Sequence, residues 1–258
     1  MKSVLIVGYG VVGHNLAKEL NKLKPDIYDK VKTEYNTKRD IKYDFCFICV
    51  DTPYADEEVP CDRTEVYNAI RENDADIYII KSTVLPKTTE MLNKQCKKKV
   101  VFSPEYYGGT QHCNNFVFNF TILGGEKEYC YKVQQLLQEV YDGTHKFKVV
   151  DSTTAEVVKY RENVRLFMKV RECIEFWKLC KKLGISYEEL RECDNLDPRN
   201  NPAQTFVYEE HPYVDSHCMN KDIPAIAYTY EMELIIKAYE MNEKDKKEFL
   251  AFYRANAQ

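Results

Sequence analysis

Between Thr153 and Gly184 the chain reads TTAEVVKYRENVRLFMKVRECIEFWKLCKKLG, with no proline and no internal glycine. Apolar residues recur at Val157, Val164, Phe167, Val170, Ile174 and Trp177, the mostly three-to-four-residue spacing of a helix with one buried stripe. Thr153 and Glu156 stand at capping-box spacing at its start, and Gly184 stands where such a helix stops. At about 1.5 Å per residue the helix is roughly 45 Å long, enough to join two domains. Before it, strand and helix patterns alternate; after it, the pattern is almost only helical. The expected fold is therefore α/β. Residues 1–151 form a Rossmann-type doubly wound parallel sheet, and residues 152–258 a smaller all-helical domain built on the connecting helix. Lys159 and Asn163 lie one turn apart on that helix and can point into one small volume, so the pair is read as half of an active site.

A length of 258 residues suits two modest domains, and 44% hydrophobic with 30% charged residues is the composition of a soluble globular protein. A formal charge of -4 leaves no electrostatic footprint for nucleic acid, and Lys97-Lys98-Lys99 reads as a solvated helix end. No apolar run approaches a membrane span, and the N-terminus passes into KSVLIVGYG without a cleavable signal pattern. Ten cysteines without regular spacing then imply reduced thiols and a cytoplasmic protein. Cys46 and Cys49 fall within the strand-like DFCFICV, where their side chains point to opposite faces, so no metal site is expected.

Ser3 to Val7 is a short apolar run of the kind buried in a parallel sheet. It feeds into Gly8-Tyr9-Gly10-Val11-Val12-Gly13, followed by a helical pattern through Leu16, Leu20 and Leu23. G-x-G-x-x-G after a strand and opening a helix is a dinucleotide turn when an acid follows roughly 20 residues on, and Asp29 is that acid. Gly8 permits the tight turn, Gly10 the approach of backbone to a pyrophosphate, and Gly13 close helix–strand packing. The amides of Val11 and Val12 would face the phosphates, and Asp29 would accept from ribose hydroxyls, which favours NAD. Lys30 and Lys32 beside it leave NADP open.

Further strands are expected at Asp44–Val50, Asp76–Lys81, Val100–Ser103, Phe118–Leu123 and Phe147–Val150. Helices are expected after Asp62, from Thr88 to about Gln95, and from Glu126 to Val140. Three strands run into polar loops: Asp51-Thr52-Pro53, Lys81-Ser82-Thr83-Val84 and Ser103-Pro104-Glu105. Carboxyl ends of strands are where doubly wound sheets bind ligands, so together these loops mark a site.

After Gly184, Ser186–Glu192 reads as helix and Asn195–Asp215 as an ordered loop. Ser216-His217-Cys218-Met219-Asn220-Lys221-Asp222-Ile223-Pro224 then enters one helical pattern through Ile226, Tyr230, Leu234 and Tyr239. Cys218 is placed just before that helix, with Pro224 in its first turn, a position that favours the thiolate. Asp222 shares the cysteine's face one turn on.

The ordered series GYGVVG, VDTP, KSTVLPKTT, SPEYYGG, TAEVVKYREN and CMNKD resembles the UDP-glucose/GDP-mannose 6-dehydrogenases over Gly8 to Asp222. The resemblance implies oxidation of a nucleotide sugar's C6 alcohol, of UDP-glucose or a relative, to a carboxylate with NAD. Cys218 would be the nucleophile, Lys159 and Asn163 would stabilise the oxyanion, and Asp222 would assist the lysine and the water network. Glu105 would activate water, Thr83 would orient water and nicotinamide, and Thr52 would line the cofactor. Arg199 would lie near the substrate phosphates, and the long helix would serve a homodimer. The chain departs from the family pattern at Tyr213-Val214-Asp215-Ser216, at Gly109 and at Lys87, where glycine is usual. It also stops at Gln258, ahead of the third domain that holds the nucleotide in family members. Two alternatives are a β-hydroxyacid or 6-phosphogluconate type of dehydrogenase, which shares K-x-x-x-N and the two-domain length, and an NAD-binding protein with weak or lost catalysis.

Overall fold

The structure, a computed structural model, describes residues 2–107 and 118–256. The chain forms two compact units, Met1–Ala55 with Cys61–Tyr160, and Asp56–Pro60 with Arg161–Gln258.

The first unit is a seven-stranded sheet of β1 (Val4–Val7), β2 (Asp26–Tyr28), β3 (Tyr43–Ile48), β4 (Ala75–Ile80), β5 (Val100–Phe102), β6 (Phe120–Gly124) and β7 (Lys146–Val150), in the order β2-β1-β3-β4-β5-β6-β7. The first five strands pair in parallel. The doubly wound sheet expected from the sequence is present, with one refinement: β6 pairs antiparallel with β5, and β7 follows β6 in parallel. Parallel returns need a crossover of a dozen or more residues, usually helical. Helix α3 (Thr88–Cys96) supplies one between β4 and β5, and α4 (Lys127–Gln138) another between β6 and β7. The sequence between β5 and β6 has no helical period, and there the strand direction reverses.

Alternation along each strand sends apolar residues to both faces, so helices must cover both. Helices α1 (Val11–Glu19) and α4 cover one face: Leu16, Val133 and Leu136 pack with Ile6, Phe47 and Ile79. Helices α2 (Thr64–Glu72) and α3 and the first turns of α5 (Ser152–Leu183) cover the other: Val66, Ile70, Leu92 and Ala155 pack with Leu5, Ile48 and Ile80. Cys46 belongs to the second core and Cys49 to the first, on opposite faces as their spacing requires. Burial pushes both thiols up, Cys49 to about 12.

The start of α5 differs from the capping box expected at Thr153 and Glu156. Asp151 caps the helix, accepting from Thr154 N at 2.8 Å and Thr154 Oγ1 at 2.5 Å. Ala155, Glu156, Lys159 and Tyr160 are buried, and Val157, assigned to the buried stripe, is 43% exposed. Asp151 is the shorter carboxylate immediately before the first turn, whereas Glu156 is already within the helix and free to reach elsewhere.

The second unit is built from the remainder of α5 with α6 (Tyr187–Asp194), α7 (His217–Thr229) and α8 (Glu233–Asn256). Phe167, Ile174, Ile223, Ala227 and Ile235 form its core with Val214. Large apolar side chains buried in this way stabilise by about 1.5–3 kcal/mol each. Gly184, at φ +69, ends α5 where the sequence placed its stop. The loop from Asn195 to Asp215 is ordered by side chains from two helices. Asn242 accepts from Val214 N at 2.7 Å and donates to Val214 O at 2.9 Å, and Lys169 donates to Ala203 O at 2.5 Å. Arg171 and Lys178 both reach Asp245 at 2.7 Å, tying α5 to α8.

The single helix expected through Ile226, Tyr230, Leu234 and Tyr239 is two. Glu231 takes φ +52, Met232 N donates to Ala227 O at 2.9 Å, and Glu231 N donates to Tyr228 O at 3.4 Å. This is the paired-bond C-terminal cap normally signalled by glycine. Here a glutamate occupies the left-handed position, so the break carries no glycine in the sequence.

Candidate active site

Strand β1 delivers the chain to Gly8, whose φ is +89. A β-carbon there would sit 2.5 Å from Cys49 O, and one on Gly13 would sit 1.9 Å from Gly8 O. Only glycine allows α1 to begin against the turn in this way. Beside Gly10, by contrast, a β-carbon would meet nothing within 4 Å. No side chain caps α1 and no acid lies in its first turn. The Val11 and Val12 amides therefore stand at an uncapped, positive helix end, a ready anion site.

Asp29 follows β2 and turns back to this loop. Its Oδ2 accepts from Tyr9 N at 2.7 Å, and its Oδ1 from Val31 N at 2.9 Å and Lys32 N at 3.0 Å. Partial burial opposes its charge, but the three amides and Lys32 outweigh burial and hold the carboxyl below its usual range. A carboxylate offers roughly four acceptor directions, which leaves room for a ribose hydroxyl. The two lysines that left NADP open are engaged locally: Lys30 Nζ lies 2.6 Å from Glu65 Oε2, and Lys32 Nζ donates to Tyr9 O at 2.7 Å. The open cradle at Gly10 and the uncapped helix end fit a dinucleotide's diphosphate, and the ionised acid fits its ribose hydroxyls.

The three polar strand-end loops are stitched to one another. Thr52 Oγ1 donates to Thr83 O at 2.7 Å, Ser82 Oγ to Val50 O at 2.6 Å, and Lys81 Nζ to Ser103 Oγ at 3.1 Å. Thr52, Thr83 and Glu105 are buried. Glu105 Oε2 accepts from Tyr107 N at 2.7 Å, and its Oε1 faces Lys159 Nζ at 3.4 Å, with the ammonium 5.5 Å from the Tyr106 ring centre. Removing either partner of such a buried pair would leave the other charge desolvated and uncompensated.

In the second unit, Asn163 Nδ2 donates to Asp222 Oδ2 at 2.6 Å, and Lys221 Nζ donates to Asp222 Oδ1 at 2.7 Å. Both Asn163 and Asp222 are buried. Cys218 lies in the first turn of α7 rather than before it, and Pro224 is interior to the helix rather than in its first turn. The helix starts early because Asn220 folds back, accepting from Ser216 N at 3.3 Å and donating to Asp215 Oδ1 at 2.7 Å. Cys218 and Asp222 are four residues apart and share a face. Arg199 is not drawn to these residues: its side chain is 87% exposed and pairs with Asp197 two residues away. Gly109, one of the departures from the family pattern, lies outside the described residues.

Sequence reasoning assigned no site role to Glu156, Lys81 or Lys221. Lys81 is desolvated beside Ser103, and burial pushes its ammonium down. The available signal for Glu156 was its place on the Lys159 face of α5, one turn earlier, which the capping-box reading obscured.

Two family models match the chain. Residues 11–145 match the NAD binding domain, and residues 153–244 the central domain, of the UDP-glucose/GDP-mannose dehydrogenase family. The chain belongs to the UDP-glucose/GDP-mannose dehydrogenase family. The cofactor expected from the Gly8–Gly13 turn, NAD, is the one this family's N-terminal domain is named for. A UDP-N-acetyl-D-mannosamine dehydrogenase of Methanococcus vannielii is 28% identical over 265 residues, covering 92% of this chain and 60% of that protein. A UDP-glucose 6-dehydrogenase of Rickettsia felis is 29% identical over 194 residues, covering 70% of this chain and 42% of that protein. The structure of a UDP-D-ManNAc dehydrogenase from Pyrococcus horikoshii superposes with a TM-score of 0.78 at 23% identity, over 98% of this chain and 72% of that one. The chain thus spans 60% or less of the length of these two curated relatives.

Proposed function

We propose that this chain catalyses the NAD-dependent oxidation of a nucleotide sugar's C6 alcohol to a carboxylate, on UDP-glucose, UDP-N-acetylmannosamine or a close relative. The observation that carries the reading is the Asn163–Asp222 bond at 2.6 Å, with Cys218 one turn before Asp222 on the same helix. A thiol at a helix N-terminus and a fixed amide donor on a facing helix are the parts a covalent acyl route needs.

NAD, when bound, would accept the hydride in each of two successive oxidations, the C6 hydroxyl proton passing to the site's water as the first hydride leaves. The chain's own residues do the rest. Cys218 sulfur adds to the aldehyde carbon, and the carbonyl oxygen becomes an alkoxide stabilised by the Lys159 ammonium and the Asn163 amide. Collapse with loss of the second hydride leaves a thioester on Cys218. Glu105 takes a proton from water, the hydroxide attacks the thioester carbon, and the thiolate departs with the carboxylic acid as product. Thr83 orients the water and the nicotinamide, and Thr52, whose hydroxyl binds the Thr83 carbonyl, supports that strand end. Asp222 fixes the Asn163 amide through its Oδ2 and takes Lys221 on its Oδ1. Arg199 contacts the substrate phosphates in this reading, which requires it to leave Asp197.

The test is NADH absorbance with a panel of UDP-glucose, UDP-N-acetylmannosamine and GDP-mannose, with product acid measured separately. Cys218→Ser is expected to lower acid formation by about a thousandfold or more. A wild-type protein that binds NAD and yields no NADH with any nucleotide sugar refutes the proposal; an unaffected Cys218→Ser refutes the thioester route. The same reading makes the protein a cytoplasmic homodimer, which sedimentation equilibrium of the purified chain tests for subunit number.

A further inference from the structure

Lys87, the residue before helix α3, lies in the left-handed region at φ +75, and its side chain makes no capping bond. The first amides of α3 are satisfied by a carboxylate from another helix. Glu156 Oε2 accepts from Lys87 N at 2.6 Å, and Glu156 Oε1 accepts from Thr89 N at 2.8 Å and Thr89 Oγ1 at 2.7 Å. Glu156 is fully buried, at 0% exposure. Burial pushes the Glu156 carboxyl above its usual range, and the Thr89 and Lys87 donors pull against that rise; the acceptor position itself is favoured by the unpaired amides and the helix dipole.

The geometry points to Glu156 as a positioning residue that clamps the N-terminus of α3 and thereby presents Thr83 to the cofactor. The turn between Thr83 and Lys87 is pinned at two places, at Thr83 O by Thr52 Oγ1 and at Lys87 N by Glu156. Thr88 Oγ1 closes the turn by donating to Leu85 O at 2.6 Å. Lys87 bears a β-carbon in a conformation that favours glycine, so the turn needs an outside hold to stay in this shape. Glu156 supplies it from the turn of α5 immediately before Lys159. One short stretch of helix therefore fixes both the Thr83 loop and the lysine that faces Glu105.

This inference rests on the proposed role of Thr83 at the cofactor, and its test does not require turnover. The first measurement is amide hydrogen exchange at Lys87 and Thr89 in the cofactor-free protein. The second is NAD affinity by calorimetry. In Glu156→Gln the amide NH2 group confronts the Lys87 or Thr89 N–H, so exchange there should accelerate at least about tenfold, and NAD should bind about tenfold more weakly, the factor set by loss of a charge-assisted hydrogen bond. Adding Lys87→Gly, which accepts φ +75 without an external clamp, should regain most of the affinity. If Glu156→Gln does not fold, Thr89→Val deletes one of the three bonds and keeps the charge, and should weaken NAD binding by about threefold. A merely structural Glu156 would lower the melting temperature and leave the NAD dissociation constant unchanged; that result overturns the inference, as does a double variant that binds no better than Glu156→Gln. Protein that binds NAD but makes no NADH with nucleotide sugars would sink the proposed reaction while leaving this clamp intact.

Discussion

Substituting Gly13 by alanine isolates what the phosphate turn demands. The added β-carbon would lie 1.9 Å from Gly8 O, well inside any contact that real β-carbons make. The neighbour is backbone, so it cannot swing aside, and α1 must retreat by about 1 Å, an overpacking that costs about 1–3 kcal/mol. The same retreat would displace the Val11 and Val12 amides, the donors expected to meet the cofactor's pyrophosphate. Losing one charge-assisted hydrogen bond, worth about 1.5–3 kcal/mol, weakens NAD binding by about 10- to 100-fold. Gly10→Ala is the internal control. Gly10 has φ -74 and open space around its would-be β-carbon, so Gly10→Ala should keep wild-type stability while crowding the bound diphosphate. Urea denaturation and NAD calorimetry on both variants separate the two effects. Gly13→Ala with wild-type stability and wild-type NAD affinity would refute the packing argument.

Asp29 gives a pH signature. Its folded pKa is depressed, so its contribution to stability is complete above the unfolded carboxylate pKa and is lost as pH falls through the folded value. Asp29→Asn should therefore flatten the acid limb of a melting-temperature profile below about pH 4, by a small amount because the group is largely solvated; an unchanged limb counts against the backbone-clamp description. Cys46 and Cys49, whose thiols burial pushes up, should resist alkylation at pH 8 in the folded protein and react on unfolding. Mass spectrometry after iodoacetamide checks this, and rapid native labelling at either cysteine would contradict their burial.

Much of the cofactor half was legible in the residue order because its determinants are local. Strand β1, the Gly8–Gly13 turn, the start of α1 and Asp29 fall within one strand–turn–helix–strand unit, and glycine at Gly8 and Gly13 answers a steric demand made by near neighbours. The stop at Gly184 and the opposed faces of Cys46 and Cys49 were readable for the same reason, from φ freedom and from the two-residue period of a strand. Errors arose where the usual residue was replaced. Glu231 occupies a left-handed position that glycine normally marks, and the start of α7 was misplaced because Asn220 reaches back over it.

By itself, then, the sequence determined the alternation of elements, the glycine turn after β1 and which side chains share a face, since spacing along one helix or strand controls all three. Tertiary structure alone decided with whom they pair. Nothing in the order of residues tells Glu156 to cap α3, Asp222 to take the Asn163 amide, or β6 to run against β5. Those contacts join residues far apart along the chain, and their free energy exists only once the packed cores have brought the partners into a shared, poorly solvated space.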